Sequence, residues 1–119
     1  PSDAAVAAVV DGDLLADFGV GALARARPYE TLSRGERELA DLARLCGADG
    51  LPSPFPLDEF TSRLDRAAAK KCANALRRRW RGGPRLVVAT VHGDLVDALR
   101  PDWVFDAASG SLAAYAWPA

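Results

Sequence analysis

Asp58 and Glu59 form an adjacent pair of carboxylates at the end of a short apolar stretch closing on Leu57. A polar turn, Thr61-Ser62-Arg63-Leu64, then leads to a third carboxylate, Asp65, just before a helix-forming segment. Metal-assisted phosphoryl transfer uses such a set: one acid holds the magnesium shell, the next orients the attacking water, and the turn reaches a second site. A solvated strand end and a helix N-terminus carry the same residue types, with Ser62 as a possible cap for that helix. The neighbouring segments therefore matter. Leu32-Ser33-Arg34-Gly35-Glu36 precedes the clearest helix. A capping box accounts for Ser33 and Glu36 but not for Gly35. Serine and glycine at a helix N-terminus also make a phosphate cradle of free N–H groups. His92, the one histidine, follows the apolar run Leu86 to Val91. Loop and cap histidines are common there, but so are ligand sites, because parallel α/β sheets bind at the carboxyl ends of their strands. A neutral imidazole there can hydrogen-bond a phosphate oxygen or a water.

The elements that must hold these residues can be read from periodicity and punctuation. Residues 1–27 are rich in Ala, Asp and Gly, with Ser2 expected to cap a short helix over Asp3 to Val10 and a second expected from Asp13 to Phe18. Ser33 to Cys46 is a helix with Leu39, Leu42, Ala43 and Cys46 on one face, stopped by Gly47 and Gly50. Phe55 to Asp58 reads as a strand compromised by proline, which cannot donate to a ladder. Arg66 to Trp80 reads as a second long helix. Leu86 to Val91 is the best strand, apolar on both faces as in a buried parallel sheet. Asp94 to Leu99 forms a short helix, Trp103 to Phe105 a third strand, and Leu112 to Tyr115 a fourth. The order indicates an α/β layer with a mainly parallel sheet.

Composition sets bounds. The 119 residues suit one domain with a modest core, and alanine dominates the hydrophobic class. Net charge is -1, yet Arg66 to Arg85 holds eight basic residues and no acidic one, against seven basic and sixteen acidic elsewhere. A solvated helix face explains that bias, and nucleic acid is the other partner it would fit. Cys46 and Cys72 fit neither a disulfide framework nor a metal spacing, which leads to the expectation of reduced thiols in a cytoplasmic protein. No apolar run is long enough to span a membrane, and the acidic N-terminus lacks the pattern of a secretory signal. The first residue is Pro1, not Met, as expected of a fragment or processed product.

In order, these segments resemble the second half of an ATP-binding cassette (ABC) ATPase, over about residues 30–106. Leu32-Ser33-Arg34-Gly35-Glu36 resembles the signature motif, Leu57-Asp58-Glu59 the Walker B strand with its catalytic glutamate, Ser62-Arg63-Leu64-Asp65 the D-loop, and His92 the switch histidine. Glu59-Phe60-Thr61-Ser62, His92 and Arg100 to Phe105 look most like a soluble branch linked to an acetyltransferase-like domain. The resemblance implies ATP and Mg²⁺ as cofactors, with Asp58 holding the metal shell. Glu59 would be the general base or water-orienting group, and His92 would contact the γ-phosphate. Ser33 and Gly35, with Glu36 completing the motif, would reach the γ-phosphate of a nucleotide bound mainly by another subunit, and Asp65 would couple the two sites. Three departures stand out. No Gly-x-x-x-x-Gly-Lys-Ser/Thr segment is present, Arg34 replaces a signature glycine, and prolines precede Asp58.

The expected fold class is therefore α/β, a partial P-loop NTPase fold of ABC type whose mainly parallel sheet lacks the P-loop strand. It divides into a helical lead-in (1–27), a signature-helix region (28–50) and a Walker B to C-terminal region (51–119). The expected function is ATP binding and hydrolysis when a missing N-terminal half or an ABC-type partner subunit supplies the P-loop, since the chain alone lacks the main phosphate-binding element. The alternatives are a degenerate, non-catalytic module that pairs with an intact ATPase, and, ranked last, a nucleic-acid binder using the basic helix.

Overall fold

A computed structural model describes residues 4–80 and 83–118 of the chain. Local capping sets where its two long helices begin. The Ser33 Oγ accepts the Glu36 backbone N–H at 3.1 Å, and the Glu36 carboxylate accepts the Ser33 N–H at 2.8 Å. Both halves of the capping box are made, and helix α3 runs Arg34–Cys46, burying Leu39, Ala40, Leu42 and Ala43. Asp65, and not Ser62, caps helix α4 (Arg66–Arg79): its carboxylate accepts the Ala68 N–H at 2.8 Å. Helix α4 buries Ala69, Cys72, Ala73, Ala75 and Leu76. Apart from Leu76 these are small side chains that let it lie close against its neighbours, whose larger residues supply much of the area.

Those partners come from the lead-in. Asp11 caps helix α1 (Gly12–Phe18) by accepting the N–H groups of Asp13 and Leu14. Gly19 ends it at φ +100°, a left-handed conformation that favours glycine. A short helix α2 (Ala22–Arg25), not expected from the sequence, follows. Helix α1 packs on both α3 and α4. Leu15, Phe18, Val20 and Ala24 join the same core as Leu39 and Leu76. Of the expected first helix, Ser2 and Asp3 lie outside the described residues, and Val6–Ala8 is a single 3₁₀ turn.

The expected mainly parallel sheet divides in two. Strand β1 (Phe55–Leu57) pairs in parallel with β2 (Leu86–Val88), Phe55 opposite Leu86 and Leu57 opposite Val88. Strands β3 (Trp103–Asp106) and β4 (Ser111–Ala114) form a separate antiparallel hairpin. Pro56 is tolerated because Phe55 donates to Arg85 and Leu57 accepts from Ala89 on the β2 side. By alternation, the N–H that proline lacks would face the outer edge. The long apolar strand expected over Leu86 to Val91 stops at Val88, because β1 offers no ladder beyond Leu57. Val87 is 55% and Val91 89% exposed, so this run is not the buried central strand that its composition suggested. A 3₁₀ turn (Gly93–Leu95) leads into helix α5 (Val96–Leu99), and Leu95 anchors both in the core. Among the described residues no helix is long and apolar enough to cross a membrane.

Candidate active-site cleft

The loop after β1 is built around Thr61. Its backbone N–H donates to the Glu38 carboxylate of α3 at 2.7 Å, and its hydroxyl donates to the Phe60 carbonyl at 2.6 Å. Thr61 and Phe60 are buried, while Asp58 and Glu59 beside them are exposed. Glu59 (φ +51°) and Thr61 (φ +64°) both occupy the left-handed region, which costs an L-residue about 1–2 kcal/mol. Burial of Phe60 and the Glu38 anchor hold the loop in that shape and leave the two carboxylates projecting from the strand end. The Asp58 carboxylate also accepts the Glu59 N–H at 2.9 Å.

The chain beyond β2 is stitched to the same loop. Phe60 N–H donates to Ala89 O at 3.0 Å. The Thr90 hydroxyl donates to Phe60 O at 3.1 Å and accepts the His92 N–H at 3.1 Å. Asp58, Glu59 and His92 thus stand at the carboxyl end of one parallel strand pair.

Helix α3 closes on this end from the other side. A Cβ on Gly35 would lie 3.1 Å from Arg63 O and 3.3 Å from the Leu64 side chain. That close approach is what Gly35 allows, and the capping box alone does not require it. Between α3 and the β1 end lies a cleft of about 530 Å³, lined by Arg34, Glu38, Leu57, Asp58, Glu59 and Arg63. Tyr29, Arg37 and Asp41 form a further part of its wall. The Tyr29 hydroxyl donates to Asp41 at 3.1 Å, and the Arg37 guanidinium lies 5.6 Å from the Tyr29 ring centroid. Burial, reinforced by the Asp41 carboxylate, pushes the Tyr29 hydroxyl above its ordinary pKa.

The residues singled out from the sequence separate into two groups. Asp58 and Glu59 line the cleft; Ser33, Gly35, Glu36, Asp65 and His92 do not. Ser33 and Glu36 hold each other in the capping box, and Asp65 holds the start of α4. Glu38, Arg63 and Tyr29 were not singled out. Arg63 carried one signal, a long cation inside a turn of small residues. Glu38 carried none, because its partner is 23 positions away.

Among the described residues no group of three His, Cys, Asp or Glu side chains could hold a metal. Two neighbouring carboxylates with an open side suit magnesium, which binds one or two carboxylates and completes its shell with water and phosphate. The basic helix is largely engaged within the chain. Arg66 pairs with Asp94 at 2.8 Å, Arg77 donates to the Ala98 carbonyl at 2.9 Å, and Arg79 pairs with Asp17. Comparison of the chain with family models, curated proteins and solved structures gives no match.

Proposed function

We propose that this chain is the C-terminal part of a cytoplasmic ABC-type ATPase, which binds and hydrolyses ATP once a P-loop-bearing segment or partner subunit completes it. One observation carries the reading. The two carboxylates and the histidine, over thirty positions apart in sequence, stand at the same end of adjacent parallel strands, joined through Phe60, Ala89 and Thr90. Phosphoryl-transfer sites of parallel α/β sheets occupy that end. Asp58 would hold the magnesium shell, Glu59 would orient or deprotonate the attacking water, and His92 would hydrogen-bond the γ-phosphate. Magnesium, when bound, would supply neutralisation of the phosphate charge. The Ser33 Oγ accepts a backbone N–H in the cap, so its own proton stays available to donate to a phosphate oxygen from the partner site. Asp65, at the end of the loop that starts with Glu59, would couple one site to the other. Among the described residues β1 and β2 pair only with each other, so their sheet has room for a further strand beside it.

The test is Mg-ATP-dependent association of the chain with an intact ABC-type ATPase subunit that supplies a P-loop. Ser33→Asp serves as the control, because aspartate keeps the helix cap while repelling phosphate. Association that needs nucleotide and is lost in Ser33→Asp is expected. Association indifferent to both would replace this reading with that of a non-catalytic interaction module, which the exposed β3–β4 residues Trp103, Phe105 and Leu112 favour. The nucleic-acid reading is ranked below both, because Arg66, Arg77 and Arg79 bond other parts of the chain.

A further inference from the structure

Two arginines from separate segments of the chain line one cleft. Arg34 opens helix α3, and Arg63 lies in the turn before helix α4. Both line the cleft that also holds Asp58 and Glu59. Among the described residues neither guanidinium makes a hydrogen bond or an ion pair. Opposite charges around one cleft would normally pair; among the described residues Arg34 and Arg63 stay more than 4 Å from every carboxylate oxygen. The other charged groups are committed. Glu38 accepts from Thr61, Asp41 accepts from Tyr29, and Arg37 donates to Glu30 O. The Arg37 Nε is buried at the wall without a partner.

What remains is two guanidinium groups without a partner and the Asp58–Glu59 pair, of which Asp58 accepts only the adjacent Glu59 N–H, around a cavity of about 530 Å³. A purely anionic ligand would satisfy the first pair and be repelled by the second, and a bare cation would do the reverse. A magnesium-complexed polyphosphate satisfies both, with metal against the carboxylates and phosphate oxygens against the arginine forks. We propose that Arg34 and Arg63 are phosphate-binding residues of this chain's own cleft, which takes a magnesium-complexed polyphosphate group without a P-loop from elsewhere. The inference rests on the reading of Asp58 and Glu59 as magnesium-side residues. It adds a phosphate site within the chain to the one expected from a partner.

Calorimetric titration of the whole chain with tripolyphosphate, in the presence and absence of Mg²⁺, tests this. Binding is expected with Mg²⁺ and is expected to be at least about tenfold weaker without it. Arg34→Ala/Arg63→Ala should weaken the Mg²⁺-dependent binding by about tenfold or more, since each removes a charge-assisted contact. Asp58→Asn/Glu59→Gln should abolish the Mg²⁺ dependence. Lys70→Ala, an exposed cation outside the cleft, should leave both unchanged. All altered residues are exposed, and a far-ultraviolet melt of each variant confirms folding. No binding by the folded parent chain, or equal binding by the double arginine variant, overturns the proposal. Failure here with nucleotide-dependent partner association intact would leave the ATPase reading standing. Tripolyphosphate binding without such association would sink the ATPase reading and keep the cleft.

Discussion

The Glu38 carboxylate accepts the Thr61 backbone N–H at 2.7 Å, which ties the signature-like helix α3 directly to the loop that carries Asp58 and Glu59. The other Glu38 oxygen is buried without a partner, so this one bond bears the whole anchoring role. Removing it leaves a partly buried N–H unsatisfied in a left-handed residue. Glu38→Ala should therefore cost about 1–3 kcal/mol, measured by urea denaturation. Glu38→Gln keeps an acceptor of the same reach and should cost less than half as much. Equal losses in both variants would mean that the carboxylate charge, and not the hydrogen bond, holds the loop.

Gly35→Ala sets two effects against each other. Alanine gains up to about 1 kcal/mol of helix propensity. Its Cβ, however, meets the Arg63 carbonyl at 3.1 Å, and that neighbour is backbone tied into the turn before α4. Overpacking of this kind costs about 1–3 kcal/mol, so a net loss is expected, and a larger one for Gly35→Val. Thermal melts decide the sign. A Gly35→Ala variant more stable than the parent would show that the turn yields readily.

Glu59 sits at φ +51° without structural reward from its own side chain, which is exposed. Glu59→Gly should be at least as stable as the parent, by up to about 1 kcal/mol, since glycine relieves the left-handed strain but enlarges the entropy of the unfolded chain. Under the proposed ATPase reading, in the domain completed by a P-loop, the same change, and Glu59→Gln, should keep ATP binding and slow hydrolysis sharply. Hydrolysis at the parent rate in Glu59→Gln would remove Glu59 from the mechanism.

Both cysteines should be inert while the chain is folded. Burial pushes the Cys46 thiol up to about 11, against a small opposing effect of Arg79. Burial, with help from Glu38 and Cys46, pushes Cys72 up to about 12. The folded state therefore holds these protons more tightly than the unfolded chain. This contribution to stability is complete below the ordinary thiol pKa of 9.0 and is lost as the pH rises from there through about 11 and 12. Iodoacetamide at pH 8 should label neither thiol until denaturant is added, as mass spectrometry would read. Fast native labelling of Cys72 would contradict its burial in the core.

The sequence by itself determined what depends on neighbours in the chain. The capping box at Ser33 and Glu36, the span of α3, the acidic start of α4 at Asp65 and the stop at Gly19 all follow from residues within one or two helical turns. So does the order of the elements that the motifs occupy. Tertiary structure alone decided the rest, because it depends on which distant groups meet. Leu86 to Val91 reads as a buried strand, but its pairing length was set by β1, which ends at Leu57. The hairpin of Trp103 and Ser111 forms its own antiparallel pair away from β1 and β2, a choice that alternation within each strand does not encode. Gly35 has its reason in Arg63, and Thr61 has its anchor in Glu38. Arg34, which the sequence marks only as a departure from a motif, and Arg63 become a candidate site only because the fold brings them to the same cleft as Asp58 and Glu59.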